Sequence, residues 1–127
     1  MVIALAILLV PVTWLIMEVR STQMLTDLDI IGSGEPVVVQ IHEPGFEDSE
    51  RLRRDIDAAR SRMSGELAFR VVNIDTSRGA RFAYEYGVSP ATVMLFDARG
   101  EVARVIEGGG SAEDLEATFT AHLRGAK

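Results

Sequence analysis

The stretch VVNIDTSRGARFAYEYGVSPATVMLFDARGEVA, residues 71–103, decides the fold of this 127-residue chain. Short β-branched runs alternate in it with one run of helical spacing, and turn-forming residues separate the runs. Thr76 can cap the helix and Gly87 can end it. The stretch and its flanks predict a strand over Leu67–Asp75, a helix over Thr76–Tyr86, and strands over Ala91–Asp97 and Glu101–Glu107.

One more strand and one more helix are predicted on the amino-terminal side. The segment PVVVQIH, Pro36–His42, is short and β-branched and begins with proline, which is typical of a buried strand with the proline at its edge. Apolar residues recur at four-three-four spacing over Asp48–Met63, which is typical of a helix with one buried face. We expect Asp48 or Ser49 to cap this helix.

The carboxyl-terminal segment predicts a last helix. Ser111 and Asp114 form a capping-box pattern at its start, and Leu115, Phe119 and Leu123 give it an apolar face. The complete order is β-α-β-α-β-β-α, in which a right-handed crossover makes the first two strands parallel. The chain is therefore predicted to be an α/β domain with a mixed four-stranded sheet between helices.

The first residues have a different composition. In MVIALAILLVPVTWLIM, Met1–Met17, Thr13 is the only polar side chain, and as a helix the run is about 26 Å long. Trp14 lies near one end, where an aromatic residue at a membrane interface is expected. We predict an uncleaved transmembrane helix over residues 1–19, a linker with a compressed first element over 20–35, and a globular domain over 36–127.

A cleaved signal peptide is the alternative interpretation, and it would leave a secreted, soluble binding protein. No Lys or Arg precedes the apolar run, and no small-x-small cleavage site follows it before Arg20, so the pattern of a signal peptide is incomplete. The charges on the two sides of the run do not determine its orientation.

Composition excludes two classes of function. The formal net charge of −6 argues against nucleic-acid binding, which requires clustered positive charge. The chain contains no cysteine, so disulfides, thiolate catalysis and thiolate metal ligation are all ruled out.

Four strings in the sequence carry a resemblance to a known family. VVNID at 71–75, YGV at 86–88, TVMLFD at 92–97 and GEVA at 100–103 stand in the order and spacing of closely similar strings in thioredoxins. The chain resembles the thioredoxin family over about residues 36–123. The resemblance implies a thioredoxin-like fold.

The resemblance also implies that the chemistry of that family is absent. Phe46 and Ser49 stand where the family has the two cysteines of its CxxC motif, and Gln40 stands where it has a buried carboxylate. Ala91 occupies the position of its cis-proline, with Pro90 one residue early. A redox-inactive member of the superfamily is therefore expected.

The side chains around the positions of the absent CxxC motif and cis-proline predict a surface that binds partners. Phe46 is the principal residue, because an aromatic at a loop tip suits docking. The full set of candidate partner-binding residues is His42, Glu43, Phe46, Glu47, Ser49, Ser89 and Pro90. We expect no metal and no cofactor, since one imidazole with scattered carboxylates lacks the spacing of a strong metal motif. An enzyme that uses a non-thiol site around His42, Glu43 and Ser49 is the less favoured alternative.

These patterns together predict a non-catalytic, membrane-tethered binding or scaffolding module. It would be an accessory subunit or assembly factor, with subunits of a larger membrane protein complex as partners and with the lipid bilayer contacted through residues 1–19. Similarity to membrane-tethered thioredoxin-like proteins of bacteria implies a single-pass protein of the bacterial inner membrane with its domain in the periplasm.

Overall fold

The computed structural model describes residues 26–63 and 67–125. Seven elements follow one another in the predicted order. They are strand β1 (Val37–His42), helix α1 (Glu47–Ser61), strand β2 (Ala68–Asn73), helix α2 (Ser77–Tyr86), strands β3 (Thr92–Phe96) and β4 (Val102–Glu107), and helix α3 (Ala112–Gly125).

The four strands form one mixed sheet in the order β2-β1-β3-β4. β1 pairs in parallel with β2, from Val37 opposite Ala68 to His42 opposite Asn73. β3 is antiparallel to both of its neighbours, β1 and β4. The prediction of a mixed four-stranded sheet with helices is confirmed.

The two central strands are the core of the molecule. Every residue of β1 and β3 is buried, because each face of the sheet is covered. On one face α1 and α3 pack over Val38, Val93 and Leu95. On the other face α2 and residues of the segment before β1, among them Leu28 and Ile31, pack over Met94 and Phe96. Alternate residues of one strand therefore belong to two different hydrophobic clusters.

The predicted caps agree with the structure for α2 and α3 and disagree for α1. The Thr76 hydroxyl accepts from the Gly79 N–H of α2, and Gly87 ends that helix in the left-handed conformation, as predicted. The Ser111 hydroxyl accepts from the Asp114 N–H at the start of α3. For α1 the prediction of a cap by Asp48 or Ser49 is wrong. Phe46 is its N-cap residue without a side-chain hydrogen bond, and the Ser49 side chain faces the sheet instead.

The segment before β1 contains turns rather than a strand in its described part. Ile31 and Ser33 close turns onto Leu28 and Ile30, and the N–H of Gly34 bonds to the Ala98 carbonyl. The described part of this segment, residues 26–35, thus contains turns that help to cover one face of the sheet.

The predicted transmembrane helix over residues 1–19, including Trp14, lies outside the described residues. Within 26–63 and 67–125, the structure has no helix with the length and apolarity that crossing a bilayer requires.

Candidate functional site

Three loops meet at one end of the sheet, the end where β1 and β2 finish. They are the loop after β1, the loop before β3 and the loop after β4. Backbone hydrogen bonds fix them to one another: Ala91 N–H donates to the Ile41 carbonyl, and Gly108 N–H donates to the Ala91 carbonyl. The residues predicted for partner binding all belong to this end of the domain. We call it the loop end.

Ser49 connects two of these loops from inside the protein. It is fully buried in the first turns of α1. Its hydroxyl oxygen accepts from the Glu43 N–H and from the Ala91 N–H, both at 3.2 Å. Side-chain oxygens that satisfy buried N–H groups in this way contribute to stability. The Ser49 hydroxyl is therefore a structural cross-link, and it is not exposed to a partner.

Ala91 has an unusual backbone conformation. Its φ is +61°, and it is the one residue other than glycine with positive φ in the described part of the chain. Such a conformation costs energy for a residue with a Cβ, so the surrounding contacts must hold it. Pro90 precedes it and is half-buried, and no peptide bond of the described residues is cis.

A buried polar group lies beneath the loop after β1. The amide nitrogen of Gln40 donates to the Ser49 carbonyl at 3.2 Å and lies 3.4 Å from Nδ1 of His42. Nε2 of the same ring lies 3.5 Å from Oε1 of Glu50. The same Glu50 oxygen accepts from the Gly45 N–H at 3.4 Å. His42 is only 4% exposed.

Phe46 is the exposed apolar residue of the loop end. Its side chain is 42% exposed at the tip of the loop between β1 and α1. Glu47 and Asp48 follow it at the surface, and Arg51 pairs with both, at 3.8 Å and 3.3 Å respectively. Ser89 is exposed as well, and Glu43 is half-buried. The loop tip therefore presents an aromatic ring with acidic side chains around it.

The predicted residues divide into two groups by position. Phe46, Glu47 and Ser89 are at the surface, whereas His42 and Ser49 are buried and can influence a partner only through the loops they support. The hydrogen bonds of Ser49 do not include His42, whose ring is held by Gln40 and Glu50. Among the described residues, no three His, Asp or Glu side chains converge as metal ligands.

Sequence reasoning missed two members of this arrangement. Glu50 was not among the predicted residues, although its carboxylate contacts the His42 ring and accepts from the Gly45 N–H at the loop tip. The positive φ of Ala91 could not be predicted from its residue type, since Gly, Asn and Asp are the residues that usually adopt this conformation.

Comparisons with known proteins agree with this description of the fold. The sequence matches no protein-family model and no curated protein. Among solved structures, 271 chains are similar to it. One is the crystal structure of Trxlp from Edwardsiella tarda EIB202, with a TM-score of 0.60 and 24% sequence identity over 71% of this chain and 86% of that chain. The fold is thioredoxin-like, and the chain has no cysteine with which to carry out thiol-disulfide exchange.

Proposed function

We propose that this chain is a non-catalytic, membrane-tethered binding module with a thioredoxin-like fold. It serves as an accessory subunit or assembly factor of a larger membrane protein complex. Residues 1–19 hold it in the bacterial inner membrane, and the domain lies in the periplasm. Its partners dock at the loop end, with Phe46 as the central contact.

One observation carries this proposal. At the loop end the buried polar side chains of Gln40 and Ser49 are used up in hydrogen bonds, while the one large apolar side chain is turned outward among exposed acids. The buried Ser49 hydroxyl and the Gln40 amide both hold backbone groups in place. Phe46 remains 42% exposed. A rigid loop that presents a single aromatic residue suits protein binding, because aromatic anchors dominate the energetics of interfaces.

A membrane tether would favour the same binding function. A small domain held at a membrane meets membrane partners at a high effective concentration, so a modest interface is sufficient for binding. The apolar run Met1–Met17 motivates the tether.

The test is purification of the tagged full-length protein in mild detergent, with quantitative mass spectrometry of the proteins that accompany it. We expect a stoichiometric set of membrane proteins. Phe46→Ser should weaken their retention by about 30-fold, because a truncated aromatic hot spot costs about 2 kcal/mol.

Tyr84 supplies the matched control, because it is also an aromatic residue and is 88% exposed, but lies on α2. Tyr84→Ser should leave the partners in place. A protein that purifies alone would refute the proposal. The intact mass of the same sample tests the tether, since removal of residues 1–19 would indicate the secreted alternative.

A further inference from the structure

The described chain begins at the loop end of the domain. Thr26 lines a cavity of about 270 Å³ together with Asn73 and Thr76, which lie where β2 finishes and α2 starts. The Ile74 N–H bonds to the His42 carbonyl, so this point adjoins the end of β1, from which the Phe46 loop departs. The first described residue and the candidate docking residues therefore lie at the same end of the domain.

The greatest length of the tether is no more than the width of the domain. Seven residue steps separate position 19 from Thr26, and in any conformation they span at most about 25 Å. A domain of this size is about 30 Å across. If residues 1–19 lie in the bilayer, Thr26 lies within about 25 Å of the membrane surface, so the loop end can reach the membrane-proximal part of a neighbouring protein.

The charges of the loop end indicate what lies against it. Four carboxylates, of Glu43, Glu47, Asp48 and Glu50, surround the Phe46 loop, and Arg51 is the cation paired with two of them. The side chain of Glu47 is 88% exposed and that of Asp48 is 58% exposed. Anionic headgroups would repel such a surface, whereas a basic protein surface would attract it.

We infer that the loop end docks onto the membrane-proximal surface of an integral membrane protein, at an apolar pocket rimmed by Lys or Arg. This inference rests on the proposed function and adds the location and chemistry of the partner's site. Phe46 enters the pocket, and the acids around it pair with the basic rim. The short tether holds the two surfaces within reach.

The absence of cysteine makes the test clean, because a single introduced thiol is the only labelling site. Ser89→Cys, which keeps Phe46 and places the label on another exposed residue of the loop end, is labelled with a benzophenone maleimide in the full-length protein and irradiated in native membranes. We expect a crosslink to an integral membrane protein, mapped by mass spectrometry to a segment next to one of its transmembrane helices. Tyr84→Cys, labelled in the same way, should give at least about tenfold less of this product.

The charge of the loop end and the length of the tether are then varied in separate variants. Glu47→Lys combined with Asp48→Lys should reduce the crosslink about tenfold at low salt and by less at high salt. A rigid helical insertion of about 30 residues between positions 21 and 22 moves the domain roughly 45 Å outward and should abolish the crosslink. A flexible Gly-Ser insertion of the same length can fold back and should retain most of it.

Other outcomes overturn the inference. A crosslink that maps far from the membrane, or one that survives the rigid insertion, places the partner's site elsewhere while the proposed function stands. A nitroxide on Ser89→Cys, with Phe46 intact, that is buried in protein-free vesicles of phosphatidylglycerol and phosphatidylethanolamine would identify lipid as the occupant. Loss of residues 1–19 from the mature protein would refute the tether itself.

Discussion

At the scale of single residues, Ser49 shows how one buried hydroxyl can hold two loops together. Its oxygen satisfies N–H groups from two different loops. In Ser49→Ala the Glu43 N–H loses its partner, whereas the Ala91 N–H keeps the Ile41 carbonyl. We expect a loss of about 1–3 kcal/mol in the free energy of unfolding, measured by urea denaturation.

Ser61 provides the comparison for this measurement. It is exposed, and its hydroxyl donates to the Ala58 carbonyl within the same helix. Ser61→Ala should change the free energy of unfolding by less than about 0.5 kcal/mol. Equal losses in the two variants would mean that Ser49 is not a cross-link between loops.

At the scale of elements, Gly79 sets how closely α2 approaches the end of β2. A Cβ at this position would overlap the backbone carbonyl of Asn73, and backbone cannot move aside as a flexible side chain can. Gly79→Ala should therefore lower the free energy of unfolding by about 3 kcal/mol or more, as overpacking against fixed atoms does.

Gly125 in α3 gives the opposite expectation. A Cβ there meets no atom within 4 Å. Because alanine is the better helix former, Gly125→Ala should leave the protein unchanged or stabilise it by up to about 1 kcal/mol. Thermal denaturation of both variants decides the matter, and a Gly79→Ala protein that melts like the wild type would contradict the close approach.

The contact between α1 and α3 makes a prediction about ionisation. A backbone hydrogen bond at Glu113 and the Arg62 guanidinium, 3.4 Å away, lower the pKa of the Glu113 carboxyl below its ordinary value. With the folded-state pKa depressed, the favourable interaction is present above the unfolded-state pKa and is lost as the pH falls through the folded-state value. Because both partners are exposed, its effect on stability is small.

The pKa itself is the better observable. A carboxyl-detected NMR titration should show Glu113 with a midpoint below the ordinary value for a glutamate. In Arg62→Gln the midpoint should move upward, toward the ordinary value, but remain lowered by the backbone hydrogen bond. A midpoint that does not respond to this substitution would exclude the Arg62 contact as a cause.

At the scale of the whole molecule, short-range sequence patterns predicted the helices and strands better than they predicted the contacts of the candidate site. Thr76 and Gly87 each act within a few residues, so the ends of α2 could be predicted from the sequence. The partner of Ser49 lies 42 residues away, and only the folded sheet brings Ala91 to it. Ser49 has the residue type of a helix cap, and tertiary contact overrode that local preference. The same holds for Glu50, whose contact with His42 depends on the path of the loop.

The open edge of the sheet leads to the last prediction. β4 is an edge strand, and Val102 and Val105 on it are 41% and 45% exposed. Arg104 lies between them, and charged residues on edge strands oppose pairing with another chain. Arg104→Val would leave a continuous β-branched and apolar run, so it should shift the full-length protein in detergent toward dimers and larger species in sedimentation velocity. Arg99→Val, in the exposed turn before β4, should sediment as the wild type does. If Arg104→Val also does so, something other than charge protects this edge.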